Sequence, residues 1–218
     1  GVIGAQARPN NAGWGVYGKN TWAALQARKA ITAEWDCSQA ETRSSDELLE
    51  AHRELAANAR LQARPDTTDQ VQAKLADAAD TIEAEFSFPL LAHAPMEPLV
   101  CVLEPTDNGV RVHDGCQFPG MAHPAIAQVL DLKPEQVEIN TVYAGGSFGR
   151  RATPVADYHE EAAMAFALLG QKIPLKMLWS REDDIRGGFY RPMAVHKARI
   201  GLDREGNVLA WDHRTASK

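Results

Sequence analysis

The chain has 218 residues, a mass of 23.8 kDa, 44% apolar residues and a formal net charge of −6. This composition is typical of a globular protein and excludes an intrinsically disordered chain. The most apolar stretch, residues 86–104, is interrupted by prolines and charged residues, so it does not predict a membrane span. The length suits one large domain or two smaller ones, and the expected fold class is α+β, with mixed sheets and packed helices.

The charge is distributed unevenly along the chain. Residues 1–139 carry a net charge of −9 and residues 140–218 carry +3. The last third is therefore the expected place for an anionic ligand. The chain as a whole is acidic and has no basic run, which disfavours nucleic acid as a partner.

The cysteines and the first residues narrow the possibilities further. Cys37, Cys101 and Cys116 lack the spacing of a cluster-binding motif, which excludes a self-contained iron–sulfur site and disfavours a disulfide framework. The sequence opens on Gly1, with no initiator Met and no charged-then-apolar leader. We therefore expect a chain that begins partway through a longer protein.

Helices are predicted mainly in the first part of the chain and strands mainly in the second. Before residue 81 the predicted elements are a helix over 21–30, a short strand over 31–35, a helix over 44–60 and a weaker helix over 71–80. After it they are strands over 82–88, 99–104 and 110–116, a helix over 124–130, a strand over 137–143, a helix over 155–169, and strands over 175–179, 194–202 and 208–213. Residues 106–109 predict a hairpin turn between two of these strands.

The strongest local feature is a glycine-rich segment between a predicted strand and a predicted helix. Residues 145–149 read Gly-Gly-Ser-Phe-Gly, and two arginines follow. Glycines allow close approach of the backbone to a ligand, while a helix start and arginine side chains favour anions. The segment is either an anion cradle or a tight turn that only reverses the chain. It has neither the P-loop nor the dinucleotide-binding spacing.

Two other segments carry polar side chains that are candidates for contact with a ligand. His93 and Glu97 stand four residues apart in an apolar stretch that Pro95 and Pro98 stiffen. They match no standard metal-ligand pattern, and a buried pair whose hydrogen bonds the backbone satisfies is the simpler interpretation. Gln117 follows a predicted strand, where it is either a ligand contact or an ordinary loop residue.

Together, these segments resemble the molybdopterin-binding large subunit of the molybdenum hydroxylases, the xanthine dehydrogenase and aldehyde oxidoreductase family. Within the family, the likeness is greatest to the isoquinoline 1-oxidoreductase beta subunit. The motifs that carry the resemblance are His-Ala-Pro-Met-Glu-Pro-Leu at 93–99, Gln117 with Pro119, Ala-Gly-Gly-Ser-Phe-Gly-Arg-Arg at 144–151, Trp-Ser-Arg-Glu-Asp at 179–183 and Phe-Tyr-Arg-Pro at 189–192.

The resemblance implies a domain organisation. Segments 21–29 and 32–36 look like the end of the family's hammerhead domain. It implies a partial hammerhead piece over residues 1–36, a helical connector over 37–80, and the first molybdopterin-binding domain over 81–218, incomplete relative to the family. The parent protein would hydroxylate an aldehyde or an N-heterocyclic aromatic carbon, with oxygen taken from water.

The resemblance also implies a cofactor, partners and site residues. The cofactor would be molybdopterin cytosine dinucleotide with molybdenum, and the partners a [2Fe-2S] small subunit, the remaining C-terminal molybdopterin-binding domain and a small-molecule substrate. No direct metal ligand is expected here, and the family's general-base Glu is expected outside this chain, so no catalytic residue is assigned. The implied cofactor-binding residues are Gln117, Gly145, Gly146, Ser147, Phe148, Gly149 and Arg150.

Two positions depart from the family pattern. Ser147 stands where the loop usually has a third glycine, a change that the isoquinoline-type branch shares. Ala152 stands where xanthine-type enzymes have a substrate-binding Glu, which argues against purine-like recognition. We expect the chain to supply one wall of the cofactor site and to be inactive alone. The alternative is a stand-alone module that binds an anion or a partner without catalysis. Localisation stays open between periplasm and cytoplasm, although isoquinoline-type relatives favour the periplasm.

Overall fold

A computed structural model describes residues 2–7, 14–59 and 67–217. The chain forms two compact units, one made of Gly1–Cys37 with Ala92–Phe189 and the other of Ser38–Leu91 with Tyr190–Lys218. Both units combine helices and strands, which confirms the α+β fold class. None of the described helices has the length and apolar character needed to cross a bilayer.

The first unit opens on a small antiparallel sheet followed by a helix. β1 (Val2–Ala7) pairs with β2 (Trp14–Gly18), and α1 (Thr21–Lys29) begins three residues later. The side chain of Asn20 caps α1, as its sequence predicts. The strand predicted over residues 31–35 is wrong, because no strand among the described residues pairs with the backbone groups of this segment.

The larger part of the first unit is built around a four-stranded sheet. In chain order the strands are β4 (Val100–Thr106), β5 (Gly109–Asp114), β6 (Val137–Thr141) and β7 (Leu175–Leu178). Their order in the sheet is β6-β5-β4-β7, and only β5 and β6 are parallel. The predicted hairpin joins β4 and β5, with Thr106 opposite Gly109.

Two helices pack against this sheet and form the core with it. They are α4 (Pro119–Leu130) and α5 (Asp157–Leu168). The fully buried apolar side chains of the core are Leu99, Cys101, Leu103, Val110, Val112, Ile126, Tyr158 and Phe166. Because side chains alternate along a strand, β5 directs Val110, Val112 and Asp114 to the same buried side.

The start of α4 differs from the sequence-based expectation of residue 124. The helix begins at Pro119, where a missing N–H costs nothing because the first turn has no acceptor for it. Pro124 lies inside the helix, where it leaves the carbonyl of Gly120 without its usual helical partner. A short helix, α6 (Arg181–Arg186), follows β7 and begins with a capping box made by Ser180.

The second unit is a three-stranded antiparallel sheet covered by two helices. Its helices are α2 (Ser45–Ala57) and α3 (Thr68–Ala76), and its strands, in the order β3-β8-β9, are β3 (Asp80–Phe88), β8 (Ala194–Leu202) and β9 (Val208–Ser217). The capping box predicted for Ser44 starts α2. The predicted end of that helix, Arg60, lies outside the described residues. Ala56, Val195 and Ala216 form the buried core.

Candidate functional site

The glycine loop (residues 145–149) lies between β6 and α5 and is largely exposed. Gly146 and Gly149 have φ angles of +104° and +100°, which glycine adopts readily and other residues adopt only with strain. A Cβ on Gly149 would meet nothing closer than Nε2 of His93, at 4.0 Å. Phe148 also has a positive φ, +56°, and its side chain is 77% exposed. The loop therefore offers an open stretch of backbone in a strained conformation.

Four consecutive backbone N–H groups in this loop are free to bind a ligand. Within residues 14–59 and 67–217, no acceptor receives the N–H of Gly146, Ser147, Phe148 or Gly149. The N–H groups on either side are bonded: that of residue 145 donates to a carboxylate and that of residue 150 to a loop carbonyl. A run of unpaired N–H groups in a loop is a typical donor set for an anion.

Glu97 joins the proline segment (residues 93–98) to the glycine loop. Its carboxylate accepts the N–H of Gly145 at 2.6 Å, and its own N–H donates to the carbonyl of Gly145 at 3.1 Å. The expected backbone hydrogen bond to this carboxylate is confirmed, but the expected burial of Glu97 is wrong, because its side chain is 38% exposed. For His93 the expectation of such a hydrogen bond is wrong, since its Nδ1 is buried and has no partner among the described residues.

Arg151 ties three separate segments together from inside the protein. Its side chain is fully buried. Nε donates to the carbonyl of Gly146 at 3.1 Å, one terminal nitrogen donates to Oε2 of Glu97 at 3.1 Å, and the other to Oδ1 of Asp114 at 3.4 Å. The guanidinium thus binds a carbonyl group of the glycine loop and does not use the four unpaired N–H groups of the loop.

Asp114, at the end of β5, is the buried counter-charge of Arg151. Its Oδ2 accepts the hydroxyl of Tyr158 at 2.6 Å and lies 2.7 Å from Nε2 of His159. Burial first, and the charge of Asp114 second, raise the pKa of Tyr158 well above its usual range, so the phenol stays a donor.

Asp114, Cys116 and His159 place three ligand-type atoms within 4.8 Å of one another, inside the protein. Their surroundings do not favour a metal ion. The carboxylate is already bonded on both oxygens, and the cation of Arg151 lies against it. Burial raises the pKa of the Cys116 thiol, which opposes the thiolate form that a metal requires. The cluster is therefore structural.

Arg150 has a different set of partners from Arg151. Its two terminal nitrogens donate to the carboxylate of Asp157 at 3.1 and 2.7 Å, and its guanidinium stacks over the rings of Trp179 and Phe189. Burial opposes ionisation of Asp157, but hydrogen bonds from Arg150 and Thr153 outweigh it and lower its pKa. The Arg150 side chain is directed into the protein, so its expected contact with a cofactor stays a prediction.

Gln117 contacts the glycine loop. Its backbone N–H donates to the carbonyl of Arg151 at 3.2 Å, and its Oε1 accepts the hydroxyl of Ser147. The side chain is exposed beside the free N–H groups. The structure therefore brings together Gln117, the glycine loop and the proline segment, three parts that are far apart in the sequence.

Sequence reasoning overlooked the polar cluster beneath the loop. Asp114 carries a usable signal, because it continues the buried alternation of Val110 and Val112 in β5. For Arg151 the sequence contains no such signal, because the adjacent Arg150 is the same residue type and binds different partners. Tyr158 and His159 lie in the first turn of α5, where the sequence alone does not show which side is buried.

Comparison with known proteins shows which family this chain is similar to. A family model described as the molybdopterin cofactor-binding domain matches residues 52–218. Isoquinoline 1-oxidoreductase subunit beta of Brevundimonas diminuta is 28% identical to this chain over 220 residues, which cover 94% of this chain and 27% of that protein. A membrane-bound aldehyde dehydrogenase (pyrroloquinoline-quinone) of Gluconacetobacter polyoxogenes is 27% identical over 195 residues, covering 89% of this chain and 25% of that protein.

Solved structures show the same fold. The crystal structure of quinoline 2-oxidoreductase from Pseudomonas putida 86 superposes with a TM-score of 0.67 at 19% identity, over 92% of this chain and 26% of that one. The chain spans about a quarter of the length of these relatives. The family model covers well over half of the chain, and its match agrees with the motifs around the glycine loop. The chain therefore belongs to the molybdopterin cofactor-binding domain family.

Proposed function

We propose that this chain is part of the large subunit of a molybdopterin-dependent oxidoreductase. The enzyme would hydroxylate an aldehyde or an N-heterocyclic aromatic carbon, and the chain would form one wall of its cofactor site. The observation that carries the proposal is the glycine loop, whose four free N–H groups lie beside Gln117. The names of two relatives, an isoquinoline oxidoreductase and an aldehyde dehydrogenase, support the substrate class.

The residues of the loop fit an anionic cofactor. Free backbone N–H groups suit oxo and phosphate oxygens, and the absence of side chains at Gly146 and Gly149 keeps the backbone accessible. When bound, the molybdenum cofactor would supply a two-electron oxidation coupled to insertion of an oxygen atom from water. This chemistry needs no nucleophile from the described residues.

The residues of this chain would bind and orient the cofactor. The backbone of Gly145, Gly146, Ser147, Phe148 and Gly149 would hold its anionic edge, and Gln117 would add a side-chain hydrogen bond. Arg150 and Arg151 would stabilise the loop through their ion pairs. Arg150 pairs with Asp157, and Arg151 pairs with Glu97 and Asp114. Exposed apolar side chains around the loop would exclude water once a ligand or partner covers them; they are Met96, Phe118, Tyr143 and Phe148.

The finer assignments are part of the same proposal. The cofactor would be the cytosine dinucleotide form, because the relatives of this type are bacterial. The general-base Glu and a further molybdopterin-binding domain would come from other parts of the subunit. Cys37, Cys101 and Cys116 are all free thiols without cluster spacing, so electrons would leave through a [2Fe-2S] small subunit. The organisation into residues 1–36, 37–80 and 81–218 stays a prediction.

The test uses the full-length protein that contains this chain, as wild type and as two variants. Gly149→Val places a side chain on the open face of the loop, whereas Gly206→Val carries the same strain, at φ +84°, in an open turn of the second unit. Molybdenum would be measured by mass spectrometry and the nucleotide released from the pterin by chromatography. We expect near-stoichiometric molybdenum and cytidine monophosphate in the wild type and in Gly206→Val, and at least a tenfold loss in Gly149→Val.

Two results would contradict this proposal. One is a wild-type protein that contains neither molybdenum nor pterin, which would favour a module that binds an anion or a partner without catalysis. The other is full molybdenum content and turnover in Gly149→Val. Turnover would be assayed with aromatic aldehydes and N-heterocycles and an artificial electron acceptor.

A further inference from the structure

Ser147 occupies the centre of the glycine loop and is almost fully buried. Its hydroxyl has two partners: Oγ accepts the backbone N–H of Arg151 at 3.0 Å and donates to Oε1 of Gln117. The side chain therefore connects the support of the loop to the amide that lies beside its free N–H groups.

The hydrogen bonds of Ser147 favour one orientation of the Gln117 amide. A backbone N–H is always a donor, so the oxygen of Ser147 must accept from Arg151. The single proton of the hydroxyl is then available for Gln117, and only the carbonyl oxygen of an amide can accept it. Oγ could also accept from the NH₂ group, but the buried hydroxyl proton would then have no acceptor among the described residues. The orientation with Oε1 toward Ser147 and the NH₂ group on the other side is therefore favoured.

The NH₂ group of Gln117 extends the donor set of the loop. No acceptor among the described residues receives it, and the side chain is exposed. The backbone of Gln117 is also held in place, because its N–H donates to the carbonyl of Arg151. The free N–H groups of Gly146 to Gly149 and the amide of Gln117 thus present hydrogen-bond donors only.

We propose, building on the function proposed above, that Ser147 is a positioning residue that fixes the Gln117 amide as a hydrogen-bond donor to the oxygen atoms of the bound cofactor. Without the hydroxyl, the amide is free to rotate by half a turn and to present its carbonyl oxygen. That oxygen repels an anion, so the productive orientation becomes only one of two. The loss of one neutral hydrogen bond of this kind corresponds to about a three- to tenfold effect.

The experiment is a double-mutant cycle in the full-length protein with Ser147→Ala, Gln117→Ala and both together. Its readouts are kcat, KM and the Mo(V) electron paramagnetic resonance spectrum of the loaded protein. We expect Ser147→Ala to lower kcat about three- to tenfold and to alter the Mo(V) spectrum when Gln117 is present. In the Gln117→Ala background the same substitution should change neither quantity further, because Ser147 acts through Gln117.

Two additional variants separate positioning from folding. Ser147→Thr keeps the hydroxyl and should restore both readouts, whereas Ser147→Gly, which removes it, should behave like Ser147→Ala. The crystal structure of the cofactor-free Ser147→Ala protein should show the Gln117 side chain displaced or in two orientations. If Ser147→Ala does not fold, Ser147→Gly replaces it in the cycle.

The outcomes distinguish this inference from the proposed function. Equal effects of Ser147→Ala with and without Gln117, or an unchanged Gln117 side chain in the cofactor-free crystal, would overturn the role of Ser147 alone. A wild-type protein without molybdenum would overturn the proposed function. The crystal of the cofactor-free protein would still test whether Ser147 orients the amide.

Discussion

The two units of the chain use the same ion pair, guanidinium with carboxylate, in opposite surroundings. In the first unit, the side chains of Arg150 and Arg151 are 2% and 0% exposed, and each of them pairs with a carboxylate. In the second unit, Arg199 on β8 faces Glu83 on β3, with 47% and 67% of the side chains exposed. Ion pairs of the same chemical type therefore differ in how far their side chains are buried.

Burial explains the difference. Water screens an exposed pair and hydrates both charges when the pair opens, so such a pair contributes little to stability. A buried pair has no water to replace a lost partner, so removing one side leaves an unpaired charge inside the protein. In this molecule the buried pairs of Arg150 and Arg151 hold the loop that would bind the cofactor, whereas the exposed pair of Arg199 and Glu83 lies on a sheet surface. Three predictions test the contrast, from the largest expected effect to the smallest.

The largest effect is expected for Arg151→Met. Methionine fills much of the volume of the side chain but leaves the carboxylate of Asp114 buried without its cation, and the carbonyl of Gly146 without its donor. We expect a loss of about 3–5 kcal/mol in the free energy of unfolding, measured by urea denaturation. The matched substitution in the exposed pair, Arg199→Met, should cost less than about 1 kcal/mol.

Hydrogen exchange would show where the damage lies. Peptides covering residues 144–152 and 114–118 should exchange faster in Arg151→Met, whereas those covering β8 should not change. If Arg199→Met proved as costly as Arg151→Met, burial would not be the property that separates the two units.

A smaller, pH-dependent effect is expected for Asp157→Asn. Because Arg150 and Thr153 lower the pKa of Asp157 in the folded protein, its charge stabilises the fold fully above the unfolded pKa of about 3.9. That contribution is lost as the pH falls from there through the lower folded pKa. We expect the variant to be about 2–3 kcal/mol less stable at neutral pH, and the difference to shrink below about pH 4.

The measurement is urea unfolding of both proteins between pH 3 and pH 8. Glu83→Gln in the second unit is the control, since it removes a carboxylate from an exposed pair. Its stability curve should follow that of the wild type. A difference between wild type and Asp157→Asn that stays constant down to pH 3 would contradict the role assigned to this carboxylate.

The smallest effect is expected for the difference in stability between Gly188→Ala and Gly170→Ala, which tests the packing around Arg150. Gly188 has a φ of +74°, and a Cβ there would lie 2.2 Å from a terminal nitrogen of Arg150. Gly170 has nearly the same φ, +72°, and a Cβ there would meet nothing within 4 Å. Gly170→Ala should cost only the backbone strain, about 1 kcal/mol, and Gly188→Ala about 1–2 kcal/mol more, because Arg150 must move.

Thermal unfolding of the two alanine variants, side by side, provides the comparison. The additional loss in Gly188→Ala should be accompanied by faster hydrogen exchange at residues 150–157. Equal melting temperatures would mean that Arg150 has room to shift without loss, and that its pair with Asp157 is less rigid than the structure indicates.

Much of the local structure could be predicted from the sequence because the signals act over a few residues. Asn20 and Ser44 each cap the helix that their spacing predicts. Residues 106–109 form the predicted hairpin turn, and Gly170 ends α5 in a left-handed conformation. Local patterns also misled: the alternation at residues 31–35 makes no strand, and Pro124 does not start a helix.

By itself, the sequence determined the fold class, most helices and strands, the position of the glycine loop and the family. Caps, turns and glycine spacing are short-range, and the motifs of the family are contiguous. Only the tertiary structure decided what lies beneath and beside that loop. Asp114 and Arg151 are 37 residues apart, and Gln117 and Ser147 are 30 apart. Their meeting depends on how the strands and helices of the first unit pack, which no local signal specifies.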